Sequence, residues 1–280
     1  MLFFASLLGC EPQKNRAVPL DDQGSQAQYG TPIALSPNTL LKDVHAVKPL
    51  VYVPWTDTVS PLWAPVNKLR DERKTKAAMA AAEALLPKFQ ASGQSQEVVR
   101  AYLHILGARS ALNSQETAVR HLSTVPWPSD LLSQTVLNLY MAGSYQGYLS
   151  RYFWEINQRE KVASTEAIDL KKWTKEEIYA AINDRFYRVW LQRKGLGQLD
   201  PSVIKEHLAP GDYPKEIRGT LRDTVVYEWA SRILNSSSWT PKQESSTYGL
   251  ALDNLLSKDP AVVDLSDTAV HPLSRFAALL

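Results

Sequence analysis

The sequence predicts an all-α body, built of antiparallel helix pairs stacked as a TPR-like helical array and preceded by a flexible tether. Three observations predict it. From Ser60 onward, apolar residues recur at three- and four-residue steps, the period of a helix that buries one face. No segment of comparable length alternates with period two, as a half-buried strand does. Most of the 17 prolines fall outside the periodic segments and punctuate the chain.

The elements follow in order. Ser60-Pro61 supplies an N-cap and a first-turn proline, a proline whose missing N–H costs nothing there. Leu62, Val66 and Leu69 then share a face, with Pro65 in the first turn or marking a later start. Lys74 to Gln90 is rich in alanine, the best helix former; Pro87 is expected to kink or end it, and Gly93 to stop it. Gln96 to Arg109 carries Val99, Tyr102, Leu103 and Leu106 on one stripe. Ser114 caps a shorter helix bearing Ala118 and Leu122.

Pro126-Trp127-Pro128 breaks the chain, and Ser129 caps a long helix reaching toward Arg159. Its stripe is Leu132, Val136, Leu139 and Tyr140, then Leu149, Tyr152, Phe153 and Ile156. Gly143 and Gly147 leave either a smooth patch for a neighbouring helix or a break. Thr174-Lys175-Glu176-Glu177 is a capping box, opening a helix with Ile178, Ile182, Phe186, Val189 and Trp190 that stops at Gly195. A further helix, Glu216 to Leu234, places Leu221, Val225, Trp229 and Ile233 four residues apart, with Gly219 weakening its first turns. Lys74–Gln90 and Gln96–Arg109 form one helix pair of tetratricopeptide type, and the 34-residue period does not recur cleanly.

Ahead of the body, Met1 to Cys10 is a short apolar run ending in Leu7-Leu8-Gly9-Cys10. It falls short of the roughly 20 residues needed to span a bilayer and has the character of a signal-peptide core. Those last four residues resemble the bacterial lipobox, whose cysteine becomes the lipidated N-terminus, so residues 1–9 are expected to be a signal-peptide remnant. No Lys or Arg precedes Cys10, so the leader reads as shortened. Residues 10–58, rich in Pro, Gly, Ser, Gln and Asp, are expected to be a lipidated flexible tether. Leu50-Val51-Tyr52-Val53 is the exception, a short strand or an extended segment docked on the first helix. Residues 59–280 form the helical domain.

Composition narrows the function. A net charge of +2 and no basic run longer than Lys171-Lys172 argue against nucleic acid as a partner. Cys10 is the single cysteine, so no intramolecular disulfide forms. His45, His104, His121, His207 and His271 lack metal-ligand spacing, and no zincin, nucleophile-elbow, phosphate-loop or dinucleotide motif occurs. No catalytic residue, cofactor or metal is therefore expected. Trp154-Glu155 with Arg159-Glu160 is the one pairing that suits a glycan-cleaving cleft, and no second feature supports it. Cys10 and Gln13 have the spacing of an internal thioester, but proline stands between them at Pro12.

Leu62-Trp63-Ala64-Pro65-Val66-Asn67-Lys68-Leu69, an Ala-rich helix, and then Gln96-Glu97-Val98-Val99-Arg100-Ala101-Tyr102-Leu103 together resemble the N-terminal helical region of large bacterial alpha-2-macroglobulin-like proteins. The segment from Ala142 through Tyr145, Tyr148, Arg151 and Trp154 to Arg159 is similar to that family's aromatic-rich helix ending in an arginine. The resemblance spans about Pro61 to Leu280. It implies a lipoprotein of the bacterial cell envelope, lipid-anchored and periplasmic or outer-membrane facing. Full-length relatives trap proteases with a bait region and, in many, a thioester, yet the Cys-Gly-Glu-Gln motif is lacking here. The apolar end Phe276-Ala-Ala-Leu-Leu280 suggests the front part of a longer protein. The partners expected are the lipid bilayer, through Cys10, and proteases or envelope proteins, through the whole molecule. The alternative is a stand-alone TPR-like envelope lipoprotein that binds a protein partner.

Overall fold

The structure, a computed structural model, describes residues 48–112, 115–163, 168–208, 214, 216–251, 253 and 263–279. The described residues form helices and connecting segments, without strands. A 3-10 turn, Pro61–Trp63, leads into α1 (Ala64–Asp71), α2 (Thr75–Ala91), α3 (Ser95–Leu112) and α4 (Gln115–Thr124). There follow α5 (Leu131–Arg151), the single turn α6 (Phe153–Ile156), α7 (Lys175–Trp190) and the single turn α8 (Arg193–Leu196). A 3-10 segment, Pro201–His207, precedes α9 (Leu221–Ile233), α10 (Pro241–Ser246) and α11 (Pro272–Leu279).

Neighbours in sequence are neighbours in space: α1 packs on α2, α2 on α3, α3 on α4, α4 on α5, α5 on α7, and α7 on α9. In the α2–α3 pair, Gln90 meets Tyr102 and Glu83 meets Arg109, so the two helices run antiparallel. α9 starts where Leu221 N bonds Leu199 O beyond the end of α7, and it ends near the start of α7. That pair is antiparallel as well. One continuous core results, from Trp63 and Phe89 through Tyr102, Leu132 and Phe186 to Trp229. Stacking of this kind lets each pair bury the face its neighbour cannot.

The expected stripes on α3, α4, α5, α7 and α9 are largely buried. Leu221, Val225, Trp229 and Ile233 are all in the core, and the box of Thr174 and Glu177 is closed in both directions, at 2.9 and 3.3 Å. Gly93 ends α2 at φ +66°, with Gly93 N on Gln90 O and Gln94 N on Phe89 O, a Schellman end.

Several expectations are corrected. Trp63, and not Leu62, enters the core with Val66; Leu62 is exposed, because the 3-10 turn rotates it outward. α2 runs through Pro87 to Ala91; the proline lies exposed, while Leu85 and Phe89 on either side are buried and hold the turn. Asp130 rather than Ser129 caps α5, its Oδ1 accepting Ser133 N at 3.0 Å. α5 stops at Arg151, as Tyr152 (φ −113°, ψ 22°) leaves helical geometry and Phe153 is exposed. Helix α5 continues through Gly143 and Gly147, and at Gly147 a Cβ would stand 2.9 Å from Gln115 Nε2, so α4 approaches closely there. α7 ends at Trp190, ahead of Gly195, which lies in α8. Helix α9 begins only at Leu221, where Thr220 and Asp223 make their own capping box, so Gly219 lies outside it. Phe276 to Leu279 are part of α11, which packs on α9.

Of the predicted tether, residues 10–47 lie outside the described residues, as do Cys10, Gln13 and His45. Residues 48–58 are an extended strap bound to the body. Leu50 N donates to Gln192 Oε1 (3.0 Å), and Val51 O accepts Leu131 N (2.8 Å). Thr56 exchanges two hydrogen bonds of 2.9 Å with the Gln96 side chain, and Lys205 pairs with Asp57 at 2.8 Å. Leu50 to Val53 thus dock at the start of α5 and the end of α7, away from the first helix, because Leu131 N is an orphan donor of a helix start.

Candidate functional site

Two features stand out from the packed core. The first is a cleft of about 190 Å³ between α1, α2 and α3. Small side chains open it: Ala78 from α2 faces Gly107, Ala108 and Ala111 from α3, with Val66, Met79 and Leu103 completing apolar walls. Alanine favours the helix yet leaves space that a larger residue would fill.

Three polar side chains border this space, Arg70, Thr75 and His104. The His104 ring stacks on Trp63 with centroids 4.8 Å apart. Burial, and then the positive charges of Arg70 and Arg100, hold its pKa down at about 4. His104 is therefore a neutral imidazole near neutral pH. The cleft suits one apolar group, with a cation at its border for an acidic neighbour.

The second feature is a chain of charges at the base of the strap. Trp63 Nε1 donates to Glu97, Glu97 pairs with Arg100 at 2.7 Å, and Arg100 reaches Glu206 at 2.8 Å. Glu206 also meets His207 Nε2 at 3.3 Å. Burial pushes the Glu206 carboxyl up, but hydrogen bonds from His207 and Arg100 outweigh it and hold the group at about 2. His207 lies edge-on to Trp55 of the strap and to Tyr140 of α5. Burial, and then the Glu206 charge, push the Tyr140 phenol up to about 12. Every carboxylate in this chain has a cation beside it, so the arrangement clamps the strap and the 3-10 segment to α3.

The remaining candidates make contacts within the fold. Arg159 pairs with Glu155 at 2.6 Å and donates to Leu170 O and Trp173 O, tying the corner after α5 to the start of α7. His271 bonds Thr247 Oγ1 and Gln243 O. His121 is half-buried, its pKa lowered to about 4 by burial and then by Arg109. Among the described residues no cluster of His, Cys, Asp and Glu is placed to hold a metal, and no helix is long and apolar enough to cross a membrane.

Sequence reasoning did not find the cleft or the charge chain. The spacing of Glu97 and Arg100 was legible as a helical pair, but Glu206 joins them from 106 residues away. Neither a family model, nor a curated protein, nor a solved structure matches the chain.

Proposed function

We propose that this chain is a membrane-anchored helical interaction module of the bacterial cell envelope, non-catalytic and part of an alpha-2-macroglobulin-like protease-inhibitor lipoprotein. The observation that carries the interaction role is the open apolar cleft in a stacked helical array. Such arrays present side-chain pockets along a surface to a partner segment. The anchor rests on Leu7-Leu8-Gly9-Cys10, with Cys10 as the lipidated residue.

The three segments that carry the resemblance make contacts within the fold. Trp63 of the first bonds Glu97 of the second, and Arg159 closes back on Tyr148 within the aromatic-rich segment. Inhibition of proteases belongs on this reading to the whole protein and not to these residues.

A second reading, a stand-alone TPR-like envelope lipoprotein, draws support from the regular antiparallel pairing of α2 with α3 and of α7 with α9. An open reading frame continuing past the Leu280 codon into β-rich sequence favours the first reading, and a stop codon there favours the second.

The anchor is tested by expressing the full chain and Cys10→Ser in a bacterial host with labelled palmitate. The unaltered chain is expected in the membrane fraction and labelled, the variant in the soluble fraction and unlabelled. Equal membrane association of the two sinks the lipid anchor. The purified full chain is expected to trap no general protease, and stoichiometric inhibition by it alone would overturn the division of labour.

A further inference from the structure

The cleft between α1, α2 and α3 sits at a strongly cationic corner of the chain. Five cations stand against Asp71 and Glu72 in the nine residues from Lys68 to Lys76, a net charge of +3 where the whole chain carries +2. Glu72 is taken by Lys74 at 2.8 Å. Lys68, Arg70, Arg73 and Lys76 are exposed and form no ion pair with any described residue.

Arg70 is the one charged side chain among the described residues that line the cleft. On the same lining, the Thr75 hydroxyl and the His104 ring nitrogens form no hydrogen bond with a described residue. These unused polar groups stand beside a space of about 190 Å³ with apolar walls. The walls are recessed, with Ala78 and Ala108 only 5% and 9% exposed. A bilayer is gripped by apolar side chains that project into it, and a nucleobase is held on aromatic faces. Here nothing apolar projects from the cleft, and no Phe, Tyr or Trp lines it. A recess takes an inserted side chain, and a cationic edge takes carboxylates beside it.

We propose that the cleft receives a leucine, isoleucine or methionine side chain from a partner protein, in a segment where aspartate or glutamate follows directly. The inference rests on the interaction role proposed for the cleft. The apolar side chain displaces water from the recess, and the carboxylates meet Arg70 at its edge. The net charge of the corner draws such a segment in and turns a basic one away.

The test is a proton–nitrogen NMR titration of the full chain carrying Cys10→Ser, so that no lipid is attached. The probe is the capped peptide Gly-Ser-Leu-Glu-Asp-Ser-Gly. Shifts are expected at the Thr75, Ala78, Gly107 and Ala111 amides. Replacing both acids of the peptide by their amides is expected to weaken binding about five- to tenfold, and replacing its leucine by serine about tenfold or more. Arg70→Glu is expected to weaken the acidic peptide and not the amide form, and Lys194→Glu, an exposed cation of α8, to change neither. Ala111→Trp fills the cleft from an exposed position and is expected to block both. Equal binding of the acidic and amide peptides overturns the acidic partner and leaves the cleft an interaction site. No shift at the cleft with either peptide overturns the proposal together with the interaction role. Sedimentation of the same chain with phosphatidylglycerol vesicles, lost in Arg70→Glu, would give the corner to a membrane and overturn the proposal as well. The peptide comparisons need no change in the cleft, so they decide even where Arg70→Glu or Ala111→Trp does not fold.

Discussion

Among single residues, His104 has the most consequential surroundings. It stacks on Trp63, borders the cleft, and has its pKa lowered from 6.5 to about 4 by burial and by Arg70 and Arg100. The unfolded chain therefore takes up a proton at a higher pH than the folded one. The contribution of the neutral ring is complete above pH 6.5 and is lost as pH falls through the folded value of about 4. His121 follows the same rule over the same range. Denaturant unfolding of His104→Gln is expected to show a shallower loss of stability between these limits than the unaltered chain. An identical slope in both would mean that the histidine is not held neutral.

At the scale of elements, two successive helix ends use one backbone device with different residues. α1 ends with Arg73 at φ +57°, Arg73 N on Arg70 O and Lys74 N on Leu69 O, which matches the Schellman end made by Gly93 after α2. An arginine pays for the left-handed conformation where glycine does not. Arg73→Gly is therefore expected to stabilise the protein by about 0.5–1 kcal/mol. Gly93→Ala is expected to destabilise it by about 1 kcal/mol. Its new Cβ meets nothing within 4 Å, so the cost is conformational alone. Shifts of the urea midpoint in opposite directions are the measurement.

These ends also mark what was legible. Gly93 announced its turn, whereas Arg73 gave no sign. Thr174 with Glu177 was legible because a capping box is local, and the four-residue steps of α9 because burial follows the helical period. The break at Tyr152 was not, since it depends on where Arg159 finds carbonyls at Leu170 and Trp173. The cleft escaped notice for a related reason. Alanine and glycine signal helix or turn in a sequence, and only the meeting of α2 with α3 turns Ala78 and Gly107 into the walls of a space.

For the whole molecule, the strap carries connections that no helix pair supplies. It touches the start of α3 through Gln96, the start of α5 through Leu131, the end of α7 through Gln192, and the 3-10 segment through Lys205. Trp55 adds an edge-on contact with His207 at 5.5 Å between ring centroids. Trp55→Ala is expected to cost about 2–3 kcal/mol, below the loss for a fully buried tryptophan. Hydrogen exchange provides the check: the Leu131 amide, bonded to Val51 O, is expected to lose protection. Unchanged protection there would show that the strap is not held by Trp55.

The same strap orders events in time. Leu50 binds Gln192 from 142 residues away, and Asp57 binds Lys205 from 148. A segment near the start of the chain is thus made early, but these two partners emerge only after α7 has been synthesised. The pairs α1 to α4 close over short loops and have the sequence they need long before then. The contacts of Leu50 and Asp57 are consequently the last of the strap to settle, after its bonds to Gln96 and Leu131 have found their partners.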